Sequence, residues 1–156
     1  ADKDVVMAAV RQNGFALEFA YEALRADKEV VMTAVRQNGN AMAFADDTLH
    51  SDKEFILAVV SQNAVALGYA DEAMQADKDV VMAAVRQNGF ALEFAYEALR
   101  ADKEVVMTAV RQNGNAMAFA DDTLHSDKEF ILAVVSQNAV ALGYADEAMQ
   151  ADKDVV

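Results

Sequence analysis

Apolar positions fall into two segments of every 25 residues. In the first stretch Val5, Val6, Met7, Ala8, Ala9 and Val10 form a nearly unbroken run. Ala16, Leu17, Ala20, Ala23 and Leu24 then recur at helical spacing, with Glu18, Glu22 and Arg25 on the opposite side. Val5-Val6 and Phe55-Ile56 invite a strand reading. Strict alternation is absent, however, and Ala, Met, Leu, Glu and Arg fill the surroundings, so helix is favoured. The spacing predicts two short helices per unit, over residues 3–12 and 15–24 in the first. The first is apolar almost all round and is assigned to an inner layer; the second is amphipathic and is assigned to a more exposed one.

Aligning the units brings out their columns. The second position is always Asp: Asp2, Asp27, Asp52, Asp77, Asp102 and Asp127. Each sits where an N-cap belongs, with Lys next and an acid in the first turn where the helix dipole favours it. The first helix should end at a Gln-Asn pair: Gln12-Asn13, Gln37-Asn38, Gln62-Asn63, Gln87-Asn88, Gln112-Asn113 and Gln137-Asn138. With Gly following, these pairs predict a left-handed C-cap; where Ala64 and Ala139 replace Gly, Asn63 and Asn138 would carry it. The pairs are also the candidate structural ladder, each amide bonding the adjacent turn. Ala16 and Ala20 recur as Ala in every unit and predict close backbone approach, with Phe19, Phe44 and Tyr69 filling the gaps between layers.

The period fixes the architecture. A short exact period means stacked units, so the expected fold is all-α, an α-solenoid of six 25-residue helix-turn-helix units. Residues 1–150 form a single array and residues 151–156 open a seventh unit. Residues 76–150 repeat residues 1–75 without a difference. Such identity points to recent duplication, to engineering, or to a stretch of a longer periodic polymer. Helices of about ten residues are unstable alone, so order should come from neighbouring units.

Composition narrows the function classes. With no Cys there is neither a disulfide framework nor a thiolate metal site. Apolar runs of six residues fall far short of the roughly 18 of a membrane span, and no targeting segment is visible. A net charge of −13 argues against nucleic acid and against an anionic membrane surface. The expectation is a soluble, acidic, folded protein.

The run Asp-Lys-Glu-Val-Val, then Ala-Val, Gln-Asn-Gly, and Ala-Leu with Phe/Tyr-Ala two residues on is similar to a bacterial helical-repeat family catalogued as domain of unknown function 4116. The resemblance covers all six units. It implies an all-helical repeat and brings no activity or catalytic residue.

Candidate chemistry is sparse. Asp46, Asp47 and His50, repeated as Asp121, Asp122 and His125, have the spacing for a divalent metal. They also fit an exposed acidic face with His near a helix C-terminus, the favoured reading. Asp71-Glu72 and Asp146-Glu147 lack an EF-hand loop. Glu18 and Glu22 recur in like environments, which does not separate two pKa values. Ser61 and Ser136 have no His-Asp grouping nearby. No catalytic residue, metal or cofactor is expected, nor an enzyme. The aromatic column reads as core.

Function is therefore expected from shape and ends. The chain opens on the repeat's Ala-Asp-Lys and stops at Val155-Val156, so neither end looks capped and the two are complementary. The expected partner is the chain itself, head to tail, as a filament or extended solenoid. The alternatives are a scaffold for a protein or peptide, reading the variable positions Glu18, Ala43 and Gly68, and an engineered closed or modular array with no ligand.

Overall fold

The computed structural model describes residues 2–156. Every described element is helical, and the chain is an α-solenoid of repeating units. The long helices are Lys3–Gln12, Lys28–Gln37, Lys53–Gln62, Lys78–Gln87, Lys103–Gln112 and Lys128–Gln137. Each opens on an Asp whose carboxylate accepts from a backbone N–H of the first turn, as Asp27 does from Glu29 at 3.0 Å and Val30 at 3.2 Å. Such a cap is worth about 1 kcal/mol.

The expected second helix is two elements. Residues Gly14–Phe19 form a 3₁₀ helix and Glu22–Arg25 a single α-turn, and the pattern recurs down to Ala139–Tyr144 and Glu147–Gln150. Between them Ala20 is extended, with φ −77° and ψ 150°. From the second unit on, a backbone bond between units is seated at this break. The N–H after that Ala donates to the last short-helix carbonyl of the preceding unit: Asp46 to Arg25 at 2.9 Å, Asp71 to His50 at 3.1 Å, Tyr96 to Gln75 at 3.0 Å. An N–H committed to a neighbouring unit cannot continue its own helix, and the first unit keeps the same break at Ala20 with no unit before it.

The left-handed turn is absent as well. Asn13 has φ −147° and Asn63 φ −149°, and no described residue has positive φ. Gly at the next position serves close approach instead: a Cβ on Gly14 would fall on the carbonyl oxygen of Ala34 in the next unit.

Like elements of successive units lie side by side, long helix on long helix and 3₁₀ helix on 3₁₀ helix. The rows enclose one continuous core, so the two-layer assignment gives way to elements that each keep one face outward. In the second unit Val30, Val31, Ala34 and Val35 come from the long helix, Ala41 and Met42 from the 3₁₀ helix, and Leu49 from the short one. The recurrent alanines 41, 45, 66 and 70 are all buried. Phe44, Phe94 and Phe119 are half-buried at the edge of this core, while Tyr69 is exposed. No described polar or charged residue is buried. No described helix is long and apolar enough to cross a membrane.

Candidate functional site

The polar side chains converge on the joints between units. The third-position lysine of each unit bonds the N-cap Asp of the next. Lys3 meets Asp27 at 2.8 Å, Lys28 meets Asp52 at 2.6 Å, and Lys53 meets Asp77 at 2.7 Å. Lys78 then meets Asp102 at 2.8 Å, Lys103 meets Asp127 at 2.6 Å, and Lys128 meets Asp152 at 2.8 Å. One carboxylate thus caps its own helix and anchors the preceding unit. Asp27, Asp52, Asp77, Asp127 and Asp152 are held below the usual 3.8, chiefly by the lysine hydrogen bond. Burial pushes Asp102 up, but Lys78 and the cap N–H groups outweigh it. Their acid partners push Lys53, Lys103 and Lys128 above 10.5.

The pH dependence has a definite sign. A carboxyl whose folded pKa is depressed contributes stability that is present above its unfolded value and lost as pH falls through the folded one. The thermal midpoint should hold from neutral pH towards 4 and fall progressively below 3.8. The lysine contribution is kept below 10.5 and lost only at higher pH. Circular dichroism melts between pH 7 and 2 check this, and a midpoint independent of pH in that range would remove the ladder from the stability account.

The Gln-Asn pairs divide their work. Each Asn closes its own turn: Asn13, Asn38, Asn88 and Asn113 accept from the N–H two residues on at 3.0 Å. Asn63 and Asn138 do the same, and their Nδ2 also reaches the preceding unit, donating to Val35 and Val110 carbonyls at 3.3 Å. Gln87 Oε1 accepts from the Ala64 N–H at 3.2 Å. Gln12, Gln37, Gln62, Gln112 and Gln137 are exposed, and their side chains make no hydrogen bond among the described residues. The inter-unit ladder therefore runs through Lys-Asp pairs and backbone rungs, with amides contributing at the third and sixth units.

Asp46, Asp47 and His50 do not converge. Asp46 accepts from the Thr48 N–H at 3.0 Å and from its hydroxyl at 2.6 Å. His50 turns Nδ1 to the Tyr69 carbonyl at 2.6 Å and Nε2 to the Ala45 carbonyl at 3.2 Å, bridging the second and third units. His125 makes the same bridge to Tyr144 and Ala120. Glu72 accepts from the Tyr96 hydroxyl at 3.2 Å, and Ser61 donates to the Leu57 carbonyl at 2.7 Å. Glu18 and Glu22 are exposed.

The family model described as Domain of unknown function (DUF4116) matches three times, over residues 2–50, 52–100 and 102–150. The chain belongs to the DUF4116 family. Each match spans two 25-residue units, and the second straddles the boundary between the two 75-residue blocks. The DUF4116 pattern thus treats that junction like any other pair of units. No protein of curated function and no solved structure matches the chain.

Proposed function

We propose that the protein is an architectural, non-catalytic element whose units stack head to tail with those of other copies into a filament. One observation carries this reading: the third unit packs on the fourth, the end of one 75-residue block on the start of an identical block, so the block's two faces fit each other, and residues at that joint are buried more than their copies in the first and sixth units. Leu67 is fully buried and its copy Leu142 is half-buried; Ala64 is buried and its copy Ala139 is exposed. At the other end Phe19 is 85 % exposed, whereas Phe94 is half-buried. Where the sixth unit of one copy met the first unit of another, the same two surfaces would join as at the third and fourth units. Such a heterologous contact propagates unless its rotation closes.

Residues 152–155 occupy part of that surface. Lys128 bridges Asp152 at 2.8 Å and Asp154 at 3.0 Å, and Val155 is buried. Beyond them a cleft of about 370 Å³ is lined by Leu132, Val135, Ala139 and Leu142. An incoming first unit brings the same Asp, Lys and Val residues and continues with Met7 and Val10, so it would exchange with this segment and fill the cleft.

Electron microscopy and light scattering over a concentration series test the proposal. Rods that lengthen with concentration are expected, and a monodisperse monomer at high concentration would overturn it. Val140→Glu sharpens the test. Val140 is 56 % exposed, while its copy Val65 is half-buried against the fourth unit. The substitution should leave the melting midpoint within about 1 °C, in keeping with the small effects of exposed sites, and abolish growth. Unchanged growth in that variant would rule out this joint.

A further inference from the structure

The arginines stand apart from the lysines. Each lysine from Lys3 to Lys128 at the third position is bridged to an acid, yet no described arginine lies within ion-pair distance of a carboxylate. Four of the six sit in the last turns of neighbouring long helices, as two pairs: Arg11 with Arg36, and Arg86 with Arg111. Each pair lines one groove. The first, about 480 Å³, is formed by Met7, Arg11, Met32, Thr33, Arg36 and Gln37. Its copy, about 450 Å³, has Met82, Arg86, Met107, Thr108, Arg111 and Gln112. Ser61 and Ser136 take the arginine position in the third and sixth units, so each 75-residue block carries one groove.

An acid also lines each groove, but it is engaged elsewhere. Glu29 is bound by Lys3 at 2.8 Å and Glu104 by Lys78 at 2.8 Å. What the groove offers is therefore two guanidinium forks over an adaptable methionine floor. Guanidinium pairs bidentately with carboxylate, and methionine accommodates varied apolar side chains. From this geometry we infer that the paired-arginine grooves bind a short acidic peptide segment, two carboxylates on the arginines flanking one apolar side chain on the methionines. A long polyanion is disfavoured by the chain's net charge of −13. Two carboxylates on one short segment gain the local pairing with the least of that penalty. This binding is independent of head-to-tail assembly, since the grooves lie on the outward faces of the long helices. The two grooves together would give a partner with two such segments added avidity.

Fluorescence anisotropy with the full chain and a fluorescein-labelled Gly-Ser-Glu-Leu-Glu-Ser-Gly peptide tests it. Binding should weaken steeply with salt. It should drop at least tenfold in an Arg36→Gln, Arg111→Gln double variant whose circular dichroism is unchanged, and at least tenfold when both peptide Glu are Gln. Arg36→Lys with Arg111→Lys should fall between, keeping charge and losing the fork. The proposal is overturned by no binding at millimolar peptide, or by equal binding of the Gln peptide or of the double Gln variant. Displacement by equimolar sodium phosphate would also overturn it, marking a simple anion site. So would loss of self-association in the double variant without peptide binding, which would mark the face as a contact between copies.

Discussion

Gly89→Ala is expected to destabilise the array by about 3 kcal/mol, the upper part of the range for overpacking. A Cβ at this position would fall on the Ala109 carbonyl oxygen of the next unit. That oxygen already accepts the N–H of Asn113 at 3.0 Å, the bond that ends the fifth long helix, so it cannot retreat without undoing a helix end. Gly39→Ala should cost less. There the nearest atoms belong to the Asn63 side chain, which can rotate away at the expense of its bond to the Val35 carbonyl. Gly143→Ala is the internal control: nothing lies within 4 Å of its Cβ, and a gain of about 0.5 kcal/mol is expected from a less flexible unfolded chain. Urea titrations of the three variants check the order. A Gly89→Ala variant as stable as Gly143→Ala would show that the joint between the fourth and fifth units is loose enough to admit a methyl group.

The repeat, the helical class and the Asp caps were legible because they depend on local patterns: a period, apolar spacing, and an Asp ahead of an apolar run. What was not legible depended on the neighbouring unit. No Pro or Gly marks the break at Ala20 or Ala45; from the second unit on, the next N–H bonds the preceding unit, a partner that no local pattern announces. The one local hint was Asp46, a capping residue placed inside a run read as a single helix, and it indeed caps the short helix beginning at Asp47. The same holds for the glycines. Asn-Gly suggested a left-handed turn, a property of one residue, whereas Gly14 and Gly89 answer to the carbonyl of a residue twenty positions on. The Lys-Asp ladder was equally hidden, because both residues had complete local roles, Asp as cap and Lys as a solvated first-turn residue. Gln12 and its counterparts recur in every unit, yet recurrence alone does not distinguish a rung from an exposed side chain.

Leu67→Ala should cost about 3 kcal/mol, within the range for emptying a buried leucine site, and Leu142→Ala about 1 kcal/mol. The two leucines occupy the same sequence, Ala-Val-Ala-Leu-Gly-Tyr, so every local contribution is shared. They differ in cover: Leu67 is fully buried with the fourth unit packed beside it, and Leu142 keeps part of its surface exposed. The difference between the variants therefore reads the nearest-neighbour term that governs stacked repeats. Leu67→Ala weakens the middle of the array and should lower the main unfolding transition. Leu142→Ala should chiefly release the last unit, seen as an early, small loss of helical signal. Assembly provides a second comparison with the same variants. If a second copy covers the sixth unit as the fourth covers the third, the cost of Leu142→Ala should rise towards that of Leu67→Ala as protein concentration increases. A cost for Leu142→Ala that stays fixed across concentrations at which light scattering reports growth would separate the assembly contact from this face.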